Sequence, residues 1–137
     1  MTKTNASQPW LFSTRGSVIV AGLLIGGSLT LKLLTPDVIS RELALRLLGV
    51  MLGAFVVVYA NAVPKMLPPI MRGDAAAEQA MRRFTGWCLT LGGVAYAAAW
   101  IIAPLNRANL LAVASLGGAH LIVVARWLYG RSQRRRA

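Results

Sequence analysis

The chain has 137 residues, 56% of them hydrophobic and 14% charged, against about 25% charged in an ordinary soluble domain. A soluble protein of this size needs more charge than that to cover its surface, so the composition places the chain in a membrane. The net charge of +11, from 15 Lys and Arg against four acids, would suggest nucleic acid in a soluble protein. Here the basic residues flank apolar runs of membrane-crossing length and set their orientation, so no nucleic-acid partner is expected.

Lys3 and Arg15 precede an apolar run from Val18 to Leu34. The run is long for a signal-peptide core and no small-residue cleavage site follows it, so it reads as a retained first helix. Span one is placed at about 17–34, with Lys32 near its end, where a long side chain snorkels to the interface. Thr35-Pro36-Asp37 reads as the start of the next helix, with Thr35 as N-cap and Pro36 at the first helical position. Span two follows at about 43–63, with Arg46 within snorkelling reach of its edge and Pro64 ending it.

Residues 64–83 form the longest connection. Pro64, Pro68 and Pro69 interrupt its first half, and Met66, Leu67, Ile70 and Met71 lay that half on the membrane surface. Asp74 reads as a helix cap, and Glu78 and Arg82 stand four apart on one face. That helix is expected to run unbroken into span three, at about 84–103. From Ala75 to Ile102 it would measure about 42 Å at 1.5 Å per residue. A bilayer core takes up only about 30 Å, so the first turns should project from it. Pro104 closes span three, Leu105 to Ala108 read as a tight turn, and span four lies at about 109–125. A basic tail, 126–137, follows.

The expected fold is all-α: an integral membrane four-helix bundle with both termini on the cytoplasmic side. With that orientation the interior segments carry Lys3, Arg15, Lys65, Arg72, Arg82, Arg83, Arg126, Arg131, Arg134, Arg135 and Arg136. The exterior connections carry Lys32, Arg41, Arg46 and Arg107, a bias in the sense of the positive-inside rule. Trp10, Trp87, Trp100, Trp127 and Tyr129 fall near the expected interfaces. Arg greatly outnumbers Lys, and Ala and Gly are abundant. Together these point to a GC-rich bacterial source and its cytoplasmic (inner) membrane.

Chemistry inside a small bundle requires ionisable or nucleophilic groups gathered together. His120 stands alone where a haem would need paired axial ligands, and Cys88 stands alone where thiol exchange would need two. A zinc site needs several His, Cys, Asp or Glu ligands, and no acid lies in the middle of any span. No catalytic residue, cofactor or metal is therefore expected, and the chain is read as non-enzymatic. His120, with Ser115 five residues before it, is either a proton relay or a partner in an interhelical hydrogen bond.

Gly49-x-x-x-Gly53 in span two is a small-residue packing motif, and Gly22-x-x-x-Gly26, Gly93-x-x-x-Ala97 and Ala114-x-x-x-Gly118 offer flat faces in the other spans. Internal packing of the four spans is the expected use. Near the cytoplasmic end of span two, Asn61 either bonds carbonyls freed by Pro64 or joins Pro64 and Lys65 in a small polar surface for a ligand or partner.

The segment Tyr59-Ala-Asn61-Ala-Val-Pro64-Lys65, followed by Arg83-Phe-Thr-Gly86-Trp87 and the Gly92-Gly93 pair, resembles the C-terminal half of SdpI-type membrane proteins. The resemblance covers about residues 48–103. The aromatic, Gly-Ile-Arg-Thr-Pro-Trp-like stretch that the family places after Pro-Lys is replaced here by Met66 to Arg72. The resemblance implies immunity against a membrane-active toxin, or signalling by sequestering a cytoplasmic regulator. The basic cytoplasmic face would meet anionic lipids of that leaflet and a membrane or cytoplasmic protein partner. Other readings are an accessory subunit of a larger membrane complex and a small oligomeric transporter.

Overall fold

The computed structural model describes residues 14–65 and 75–134. It contains four α-helices in chain order: α1 (Thr14–Leu34), α2 (Arg41–Ala62), α3 (Ala75–Ile102) and α4 (Leu105–Arg134). A short 3-10 turn, Val63–Lys65, follows α2. All four helices are long and apolar enough to cross a membrane. This is the expected all-α bundle, and it follows from the solvent. Hydrocarbon offers no hydrogen bonds, so a spanning segment must satisfy its backbone internally.

The helix ends differ from the expected ones in three places. The N-cap of α2 is Ser40, not Thr35: Ser40 is extended (φ −67°, ψ 149°) and its side chain accepts a bond from the Leu43 N–H. Thr35 instead donates its Oγ1 hydrogen back to the Leu31 carbonyl at 2.8 Å, which ties it to the end of α1. Competition of this kind is typical of a threonine hydroxyl, which serves the preceding turn as readily as the following one.

Leu105 to Ala108 are not a turn between helices but the first turn of α4. The Arg107 and Ala108 N–H groups both donate to the Pro104 carbonyl at 2.9 Å. Pro104 has no N–H to continue α3, and its fixed φ suits the start of a helix, so the connection shrinks to Ala103 and Pro104. At the far end α4 does not stop near 125. The basic segment continues the helix to Arg134. With 30 residues, α4 is about 45 Å long.

α3 has the range expected, Ala75–Ile102. The expected surface segment through Met66, Leu67, Ile70 and Met71, the Asp74 cap, and Lys3, Trp10, Arg72, Arg135 and Arg136 lie outside the described residues.

Packing is uneven. α2, α3 and α4 lie against one another in chain order, α3 in the middle, whereas α1 touches α2 only lightly. Small residues form the seams. Ala60 and Ala62 of α2, and Ala108, Ala112 and Ala119 of α4, are buried, while large apolar residues such as Leu23, Ile25, Leu110 and Leu121 point outward. That inversion of a soluble core suits a bundle dissolved in lipid, where close backbone approach rather than water exclusion holds helices together.

Candidate functional site

The α2–α3 seam is built on glycine. A Cβ placed on Gly49 would run into the indole ring of Trp100. One placed on Gly53 would stand 2.8 Å from the Ala97 Cβ and 2.9 Å from both the Ala97 nitrogen and the Gly93 oxygen. Gly53 thus meets the Gly93-x-x-x-Ala97 face of α3 backbone on backbone, and in the same antiparallel register Gly49 receives the Trp100 ring. Adjacent positions on a helix point about 100° apart, which lets consecutive glycines serve two neighbours. Gly93 faces Val56 and Val57 of α2, while Gly92 faces Ala119 of α4, 2.7 Å from where its Cβ would be.

Other small-residue motifs behave differently. Gly22 and Gly26, expected on a packing face, have nothing of another helix within reach, and neither does Gly118. Ala114 is exposed. The seam of α4 is Ala108, Ala112, Ser115 and Ala119 instead, one helical face away from Ala114 and Gly118. In α1 it is Gly27 that approaches α2, at the Met51 sulfur.

Where the Trp100 ring lies over Gly49, its indole Nε1 is buried without a hydrogen-bond partner among the described residues. Trp100 is therefore turned into the bundle rather than standing in an interfacial belt. The gap left by Gly49 is what admits a ring of that size. Trp87, Trp127 and Tyr129 do face outward.

At that end of the bundle Arg46 has a role that its sequence position did not reveal. Its Nη1 donates to the carbonyls of Trp100 (2.7 Å), Ile101 (3.0 Å) and Ala103 (3.2 Å), closing the C-terminus of α3. The last carbonyls of a helix have no partner within it and carry partial negative charge, so a guanidinium satisfies both needs. Glu42, one turn back on α2, binds the other side of the group, its Oε1 lying 3.2 Å from Nε and 3.0 Å from Nη2. Expected to snorkel toward water, Arg46 instead clamps α2 to α3. The signal available in the sequence was Glu42 four residues before it.

The opposite end holds Asn61, Pro64 and Lys65. Pro64 is turned inward: its ring packs on Gly86 of α3, and its carbonyl accepts a 3.0 Å bond from Gln79 Nε2. Asn61 and Lys65 are exposed, four residues apart, and Asn61 bonds no carbonyl among the described residues. The structure thus separates the three, with proline as anchor and asparagine and lysine on the open side. Gln79 was not singled out in the sequence, and nothing there marks it as reaching back to α2.

Around this end lie Lys65, Arg82, Arg83, Arg126 and Arg131. Arg82 pairs with Glu78 at 2.6 Å. The Arg126 guanidinium lies over the Phe84 ring, 4.5 Å from its centroid, joining α4 to α3, and Arg131 lies over Trp127 at the same distance. Such stacking holds a cation in place without neutralising it.

His120 is exposed on α4, and its Nδ1 lies 2.9 Å from the Leu116 carbonyl of the same helix. Of the two readings offered for it, the interhelical bond is not made among the described residues. Ser115 likewise serves its own helix, donating to the Ala112 carbonyl at 2.8 Å. Hydrogen bonds back to the preceding turn are the nearest available to polar side chains on a helix in lipid, and both residues take them.

These features describe a multi-pass membrane protein with a glycine-packed centre, an Arg46 clamp at one end and a basic collar at the other. No protein-family model matches the chain, and neither a curated protein nor a solved structure matches it significantly.

Proposed function

We propose that this is a non-enzymatic protein of a bacterial inner membrane, oriented with both termini in the cytoplasm. It would act by binding a protein partner at its basic end, as an SdpI-like immunity or signal-sequestering factor does. The observation that carries this reading is the disposition of the Asn61–Lys65 turn. Pro64 and Gln79 pin the turn to α3, and Asn61 and Lys65, four residues apart, are left exposed with no bonded partner among the described residues. A rigidly held polar pair at the end of a span is suited to recognition, since little ordering is required of it on binding. The thin inventory of ionisable groups within the spans supports a binding role over catalysis.

Substituting Asn61→Ala and Lys65→Ala tests the reading, with toxin sensitivity and recovery of a cross-linked partner as the two measurements. Loss of either at unchanged membrane abundance is the expected result. Wild-type behaviour in both assays would reduce the motif to a structural turn. Reporter fusions after residue 137 and within 66–74 test the orientation, and both should report the cytoplasm.

A second reading, an accessory subunit of a larger complex, is favoured by α1. Its Gly22 and Gly26 lie in open space, and it holds to α2 lightly. Extraction in a mild detergent separates the two readings. Stoichiometric co-purification with a large assembly supports the subunit, and a lone small species removes it.

A further inference from the structure

The helices are unequal in length, and the excess falls at one end. α1 and α2 have 21 and 22 residues, about 32 and 33 Å, close to the thickness of a bilayer core. α3 and α4 have 28 and 30 residues, about 42 and 45 Å. Their other ends are joined by Ala103 and Pro104 alone, so the surplus emerges as the start of α3 and the end of α4. These overhangs carry Arg82 and Arg83 on α3, and Arg126 and Arg131 on α4. Trp127 and Tyr129, 49% and 67% exposed, mark the interfacial level beside them.

Among the described residues the acids of the bundle are placed elsewhere or already used. Glu78 pairs with Arg82, and Glu42 with Arg46 at the opposite end. Asp37 lies in the turn between α1 and α2. Arg126 and Arg131 have no carboxylate partner among the described residues, yet each is held over an aromatic ring. A guanidinium stacked by its face keeps its N–H edge free, and that planar fork matches two oxygens of a phosphate.

From this geometry we infer that the overhanging end of α3 and α4 binds the headgroup phosphates of an anionic phospholipid leaflet, with Arg126 on Phe84 and Arg131 on Trp127 as its positioned contacts. Arg126 and Arg131 are five residues apart, about 140° around the helix, and so cannot close on one small ion. Arg126 faces α3 while Arg131 lies around the helix from it, an arrangement that fits a surface of phosphates rather than a pocket. The inference rests on the membrane reading of the chain, but on neither Asn61 nor a protein partner.

The test uses the full-length protein in a non-ionic detergent. It is titrated with phosphatidylglycerol or phosphatidylcholine, and bound lipid is counted by native mass spectrometry. Phosphatidylglycerol should bind more tightly, and Arg126→Gln or Arg131→Gln should each weaken it about five-fold, with phosphatidylcholine unaffected. Phe84→Leu keeps the charge and the apolar contact but removes the ring. It should weaken phosphatidylglycerol in the same direction, a result that bulk charge alone would not produce. Inorganic phosphate at matched ionic strength should not compete. Equal binding of the two lipids, wild-type affinity in both arginine variants, an unchanged affinity in Phe84→Leu, or displacement by inorganic phosphate would each overturn the inference. Because the readout is lipid alone, its failure leaves the partner-binding reading of Asn61 and Lys65 untouched.

Discussion

α1 and α2 carry the same spacing of glycines, Gly22-x-x-x-Gly26 and Gly49-x-x-x-Gly53, yet they sit in opposite surroundings. In α2 both glycines are buried against α3, and in α1 both face open space. The difference lies in what stands opposite. Gly53 finds Gly93 and Ala97, small residues at the same spacing, so the two backbones come together and gain dispersion contacts along their length. α1 turns a different side inward: Gly16 and Val20 are buried and Gly27 meets the flexible Met51 thioether of α2, on the side away from Gly22 and Gly26. A glycine motif permits close approach. It takes a complementary face to bring it about.

The largest test of that contrast is a pair of substitutions. Gly53→Ile would drive a branched side chain into the Ala97 and Gly93 backbone, which cannot yield, and should cost about 3 kcal/mol. Gly26→Ile, with nothing nearby, should change stability by less than about 0.5 kcal/mol. Unfolding in mixed micelles, followed by circular dichroism, compares the two. Similar losses at both sites would mean that α1 is packed as tightly as its neighbours, and the comparison would collapse.

Arg46 sharpens the same contrast, since it adds a polar tie between α2 and α3 to the glycine seam. Arg46→Met leaves the Trp100, Ile101 and Ala103 carbonyls without the guanidinium and Glu42 unpaired, and should destabilise the bundle by about 2 kcal/mol. Arg46→Lys should fall between the two, because an ammonium keeps the charge but not the fork. Hydrogen exchange at residues 99–103 should rise in the same order.

At the other end Gln79→Leu removes the bond to the Pro64 carbonyl and should cost about 1 kcal/mol. Faster exchange confined to 63–65 is the expected sign. No change there would show that the Pro64 ring on Gly86 is sufficient to hold the turn. The smallest effect is expected at His120, whose Nδ1 contact is internal to α4. His120→Leu should alter stability by less than about 0.5 kcal/mol in micelles. A loss well beyond that would mean that the exposed flank of α4 is itself an interface.

Much of the architecture is legible without coordinates, because a bilayer imposes few and severe conditions. Length and hydropathy mark the four spans, proline marks the breaks, and the unbroken run from Ala75 to Ile102 is visible as one helix longer than a membrane needs. What only the tertiary structure decided is which face of each helix is used. Gly22, Gly26, Ala114 and Gly118 look as capable of packing as Gly49 and Gly53, since each helix alone offers several small-residue faces and the choice depends on its neighbour. The same holds for the polar groups. Arg46 reads as a snorkelling arginine until the end of α3 is placed beside it, and Pro64 reads as part of a recognition surface until Gly86 and Gln79 draw it inward. Spans are a property of one segment and its solvent, and a sequence states both. Seams, clamps and collars depend on two segments far apart in the chain, and these meet only in the fold.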